Sequence, residues 1–134
     1  MRKYYKGNNI MANIIRVLIV DDDPTLIEMY RARMTAEGFV VELAHDGQEA
    51  LAKAIETNPS IILLDMRMPN VSGLEVLEIL RTTKATQKTP IIVLTALGDD
   101  QLRKDAMVRG ATDYMVKAET MPAQVVEKIH ALLG

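Results

Sequence analysis

The strongest constraint on this chain is a recurrence. Five short, mainly apolar runs, Ile14–Val20, Phe39–Leu43, Ile61–Leu64, Ile91–Leu94 and Asp113–Val116, alternate with stretches whose apolar residues return at helical spacing. A strand that is apolar without alternation is buried on both faces, and helices connecting parallel strands supply that cover. Such connections are right-handed, which leaves an α/β fold with a doubly wound, five-stranded parallel sheet, most simply in the order 2-1-3-4-5. The spacing predicts a first helix opening at Pro24 behind an Asp23 cap, with Leu26, Ile27, Tyr30 and Met34 inward and a stop at Gly38. A second runs from Gly47 to Thr57 with Ala50, Leu51, Ala54 and Ile55 inward. A third covers about 74–81, with Leu74, Leu77 and Val76 or Leu80 on the sheet, before a polar loop through Lys84, Thr86 and Lys88. A fourth covers about 99–109 and closes at Gly110, and a fifth runs from Pro122 to Leu133 with Val125, Val126, Ile129 and Leu132 as its stripe.

What the apolar runs end on matters most for chemistry. The first ends on Asp21, Asp22 and Asp23, the third on Asp65, the fourth on Thr95 and the fifth on Lys117. In open α/β sheets the carboxyl ends of the strands line the crevice where ligands bind. Asp65 opens a loop, M-R-M-P-N-V-S-G, in which Pro69 stops the strand while Ser72 and Gly73 can start the next helix. Carboxylates from Asp21, Asp22 and Asp65 repel one another unless a cation sits among them, and an all-oxygen site with several waters suits Mg²⁺. Thr95 and Lys117 opposite that ion could hold the oxygens of a phosphoryl group, and a central carboxylate could itself be the nucleophile.

Bulk properties narrow the classes. A chain of 134 residues is one domain, and with no cysteine it has no disulfide, thiolate metal site or cysteine nucleophile. Residues 1–13 carry Arg2, Lys3 and Lys6 without an acid and are expected to be a flexible N-terminal extension to a domain spanning 14–134. The remainder is therefore more acidic than the net charge of −2, which gives no reason to expect direct nucleic-acid binding. No apolar run approaches the roughly 20 residues of a membrane span, so a cytoplasmic protein without membrane insertion is expected.

The motifs V-D-D (Val20–Asp22), L-D-M-R-M-P (Leu64–Pro69), Gly73, T-A (Thr95–Ala96) and Y-M-V-K (Tyr114–Lys117) occur in order at successive strand ends. Each alone is weak, but together the chain closely resembles a two-component response-regulator receiver domain, of the stand-alone kind seen in chemotaxis, over about residues 14–134. The resemblance implies a flavodoxin-like (βα)5 fold and a phosphoryl group accepted on Asp65 from a sensor histidine kinase or phosphotransfer domain. It implies Mg²⁺ held by Asp22 directly, by Asp21 through water, by Asp65 and by the Arg67 backbone carbonyl, with Thr95 and Lys117 on the phosphoryl oxygens. It also implies a switch in which Tyr114 turns inward as Thr95 moves, remodelling the surface of the fourth helix, fifth strand and fifth helix. With no effector domain following, output through contact with a downstream protein is expected, by a monomer or a phosphorylation-dependent dimer. The family usually places a cis-proline after the lysine, whereas Ala118 follows Lys117 here; a cis bond to a non-proline costs about 2.5–4 kcal/mol, so a trans bond is expected.

Simpler readings compete. Asp23 reads as a helix cap, Thr95 alone would be an ordinary strand residue, Tyr114 a half-buried edge tyrosine, and His45 and His130 surface residues. The main rival function is a haloacid-dehalogenase-like Mg²⁺ phosphatase using Asp21 as nucleophile in D-x-D-x-T (Asp21, Asp23, Thr25), which leaves Asp65 without a role. A flavin or nucleotide binder would need a phosphate-cradling loop where the three acids stand.

Overall fold

The structure, a computed structural model, describes residues 14–96 and 98–134, so the expected extension at 1–13 lies outside the described residues. The elements are β1 (Arg16–Val20), α1 (Pro24–Ala36), β2 (Val40–Ala44), α2 (Gly47–Thr57), β3 (Ile61–Leu64), α3 (Gly73–Thr82), β4 (Ile91–Thr95), α4 (Asp100–Val108), β5 (Asp113–Val116), one 3₁₀ turn at Lys117–Glu119, and α5 (Pro122–Leu133). All strand pairs are parallel, in the order β2-β1-β3-β4-β5. This is the doubly wound α/β sheet that the alternating runs predict.

The sheet is covered on both faces. One core layer joins Leu18, Val20, Ile62, Leu64, Ile91 and Val93 to α2, α3 and α4, and the other joins Val17, Ile19, Ile61, Leu63, Ile92 and Leu94 to α1 and α5. Successive residues of one strand thus feed opposite layers, and each fully buried aliphatic side chain contributes about 1.5–3 kcal/mol. The helix starts follow their capping chemistry. Asp23 accepts from the amides of Thr25 and Leu26 at 3.0 and 3.3 Å, and Ser72 and Glu75 form a reciprocal capping box at α3.

Several expectations are corrected. β2 lies one residue later than Phe39–Leu43, because Phe39 precedes the strand and packs in the core against the His130 ring, 5.4 Å away. Ile55 is 58% exposed rather than inward, since the small residues Gly47, Ala50 and Ala54 form the buried face of α2. Leu132 is also exposed, and beyond Ile129 it is Leu133 that packs against the core. Thr86, read as part of a polar loop, is fully buried with its hydroxyl donating to the Leu80 carbonyl at 2.7 Å, and so satisfies the end of α3. Tyr114 is buried, which goes against the competing view of it as a half-buried edge tyrosine. No helix among the described residues is long and apolar enough to cross a membrane.

Candidate functional site

The register of the sheet assembles the site. Val20 pairs with Leu64 across β1 and β3, so the next residues, Asp21 and Asp65, leave neighbouring strands at the same level. The Asp65 amide donates to the Val20 carbonyl at 3.0 Å, which fixes that level. One oxygen from each of Asp21, Asp22 and Asp65 lies within 4.8 Å of the others. Asp21 and Asp65 are 3% and 6% exposed, while Asp22 is open to solvent. On the other side Thr95 pairs with Val116 at the ends of β4 and β5, so Lys117 follows at the same edge.

Hydrogen bonding differentiates the three acids. Asp21 accepts from the Asp23 amide at 2.9 Å through one oxygen and from Lys117 Nζ at 2.6 Å through the other. Lys117 Nζ also lies 3.6 Å from Asp65 Oδ2. The other oxygen of Asp65 accepts a long 3.4 Å bond from the Arg67 amide, and the buried Thr95 hydroxyl also bonds this carboxylate. Burial pushes the Asp65 carboxyl above its ordinary range. Lys117 pulls it back, Asp21 adds to the rise, and the bonds from Thr95 and the Arg67 amide lower it. One ammonium among three carboxylates leaves the cluster net negative, and an all-oxygen donor set of this kind fits a hard divalent cation such as Mg²⁺.

The strand-end residues expected to act together are therefore close, with one difference in pairing. Lys117 lies beside Asp65, as its strand-end position predicts, but its shorter contact is with Asp21, a pairing hidden in the sequence because β5 is three strands from β1 in the sheet. The described residues contain no cis peptide bond, so Lys117–Ala118 is trans, as expected, and Lys117 still reaches the acids. Tyr114 packs in the core layer that includes Val20 and Leu64, with the Arg103 guanidinium carbon 6.0 Å from its ring centroid. Burial raises its phenol, Asp99 and more weakly Asp65 push the same way, and Arg103 opposes them. Asp23 and Thr25 do not join the cluster. Asp23 caps α1, which removes the second acid the phosphatase reading needs.

Fold and site define a doubly wound α/β protein with an acidic, cation-fitting cluster and a lysine at the carboxyl edge of its sheet. Residues 17–130 match the family model of the response regulator receiver domain, and the chain belongs to that family, the signalling receivers of two-component systems. It is 40% identical over 119 residues to the transcriptional regulatory protein TrcR of Mycobacterium tuberculosis, covering 89% of this chain and 45% of that one. It is 39% identical over 121 residues to ResD of Bacillus subtilis, covering 90% and 49%. The chain thus spans about half the length of these curated relatives. Among solved structures, Vibrio cholerae chemotaxis protein CheY4 superposes with a TM-score of 0.84 at 30% identity, covering 90% of this chain and all of that one. The response regulator domain of Thermotoga maritima CheB gives a TM-score of 0.82 at 28% identity, covering 90% and 97%.

Proposed function

We propose that residues 14–134 form a receiver that accepts a phosphoryl group on Asp65 and signals through a surface altered by that modification. The observation that carries this reading is the setting of Asp65, a buried carboxylate shared between Lys117, Thr95 and two further acids. A carboxylate oxygen of Asp65 attacks phosphorus, the P–N bond of a phosphohistidine on a sensor kinase or phosphotransfer protein breaks, and the imidazole leaves with its electron pair and takes up a proton. Lys117 and Thr95 supply positive charge and a hydroxyl donor for the phosphoryl oxygens. Asp22, Asp21, Asp65 and the Arg67 carbonyl would hold Mg²⁺, which when bound neutralises charge that builds between the acids and the phosphoryl group. A new dianion beside Thr95 draws its hydroxyl, and Tyr114 two elements away reports the shift to α4, β5 and α5. The downstream target is a protein that reads this surface. The domain is a signalling switch rather than an enzyme acting on an external substrate.

Incubation with Mg²⁺ and a small acyl-phosphate donor tests the reading. The expected product is one base-labile modification, mapped to Asp65 by mass spectrometry and absent from Asp65→Asn. Modification at Asp21 instead, or fast turnover of phosphate esters, would sink it in favour of the phosphatase.

A further inference from the structure

The loop from Asp65 to α3 is braced by a residue outside the acidic cluster. Gly47 is the first residue of α2 and is buried. A Cβ there would lie 2.6 Å from Val71 Cβ, 2.9 Å from the Val71 carbonyl oxygen and 2.9 Å from Val76 Cγ2. The first two of these atoms are backbone or fixed to it, so no rotamer change relieves them, and one of the two partners has to move.

The start of α2 resists that movement. The Asp46 side chain accepts from the Glu49 amide at 2.8 Å, Glu49 accepts from the His45 amide at 2.6 Å, and Ala50 and Ala54 are packed in the core. The ends of the loop resist as well. Asp65 is tied to Val20, the Gly73 amide donates to the Met66 carbonyl at 3.1 Å, and a Cβ on Gly73 would lie 2.5 Å from Met66 Cα. Between these anchors the chain turns at Asn70, whose φ of +71° lies in the left-handed region, with Val71 N donating to Pro69 O at 2.9 Å. Segment 67–71 is the stretch between these anchors, and it begins at Arg67, whose amide reaches Asp65.

We propose that Gly47 is a positioning residue for the metal site: its missing side chain lets α2 close on Val71 and so sets the backbone at Arg67 beside Asp65. The inference rests on the reading of the Arg67 carbonyl as a metal ligand.

Calorimetric titration of the full chain with Mg²⁺ alone, paired with thermal melts in EDTA, tests it. Gly47→Ala is expected to stay folded and to bind Mg²⁺ about tenfold more weakly, the lower end of the loss seen when groups that orient metal ligands are removed. Gly47→Val is expected to bind more weakly still. A purely structural role would lower the EDTA melting temperature and leave the Mg²⁺ affinity of the folded protein at the wild-type value, and that result would overturn the proposal. If Gly47→Ala does not fold, Val71→Gly probes the same contact from the loop side without adding an atom to α2. A loss of about the same size supports the proposal and wild-type affinity overturns it. Failure of the wild-type chain to bind Mg²⁺ would overturn the metal reading and this inference together, whereas normal wild-type binding with an unaltered folded variant would overturn the inference alone.

Discussion

Two partly buried cations stand at opposite ends of the sheet, and they are satisfied in opposite ways. Lys117, just past β5, pairs with the carboxylates of Asp21 and Asp65 at 2.6 and 3.6 Å. Arg81, near the end of α3, makes no ion pair among the described residues. Its guanidinium donates to the carbonyls of Gly110, Thr86 and Thr89 at 2.9, 3.2 and 2.7 Å, and more weakly to the Gln87 carbonyl and the Thr112 hydroxyl. These acceptors lie at the turns that lead into β4 and β5, away from the acidic edge. Carbonyl dipoles built into the chain cannot be exchanged for another cation, and the planar fork of arginine suits several of them at once. Carboxylates around an ammonium can be shared with a metal ion or traded for phosphoryl oxygens. One end of the sheet is clamped, and the other is open to exchange.

Arg81→Ala is the largest expected break in that contrast. It strands the Gly110 and Thr89 carbonyls and is expected to cost about 2–3 kcal/mol, in the range for hydrogen bonds to charged groups whose partners stay partly buried. A urea titration should show a lower midpoint with an unchanged slope. Arg81→Lys should recover little, because three donors on a flexible stem cannot reach the same acceptors. Added Mg²⁺ should repair neither variant beyond the stabilisation it gives wild type.

Lys117→Ala should behave differently. In EDTA it leaves three carboxylates without their internal cation and is expected to cost about 1–2 kcal/mol, less than breaking a fully buried pair because Asp22 opens the cluster to water. Mg²⁺ should then bind more tightly than to wild type and restore the stability by mass action. An Arg81 variant rescued by Mg²⁺, or a Lys117 variant that is not, would erase the distinction between clamp and exchangeable site.

The same contrast separates what was legible in the sequence from what was not. Unbroken runs such as Ile61–Leu64 can be covered only by a two-layered helical coat, so strand order and the location of the site at the strand ends followed from pattern and chirality. Asp21, Asp65, Thr95 and Lys117 were readable because each stands at the end of such a run. The pairing of Lys117 with Asp21 was not, since it depends on a long side chain crossing two intervening strands. Ile55 was misplaced because helical period alone does not show how narrow the contact becomes when Gly47, Ala50 and Ala54 bring α2 close. The Arg81 clamp and the Gly47 contact were equally hidden, because each joins segments distant in sequence through atoms that carry no periodic signal.

The smallest expected effect isolates one carboxyl at the exchangeable end. Burial holds Asp65 above its ordinary value of 3.8, and Lys117 only partly offsets the rise. An acid whose value is raised on folding keeps its proton longer in the native state, so its favourable contribution exists under acid conditions and is lost as pH rises through the raised value. Above that value the buried charge is a standing penalty, which Asp65→Asn removes. In EDTA, the variant should therefore gain stability relative to wild type as pH rises from below 3.8 toward neutrality, and the gain should level off once Asp65 is fully ionised. Melting temperatures of both proteins across that range check the sign. A variant that instead lost ground as pH rose would mean that the Lys117 ion pair outweighs burial at Asp65, and the acidic edge would then be clamped by its cation much as the opposite end is by Arg81.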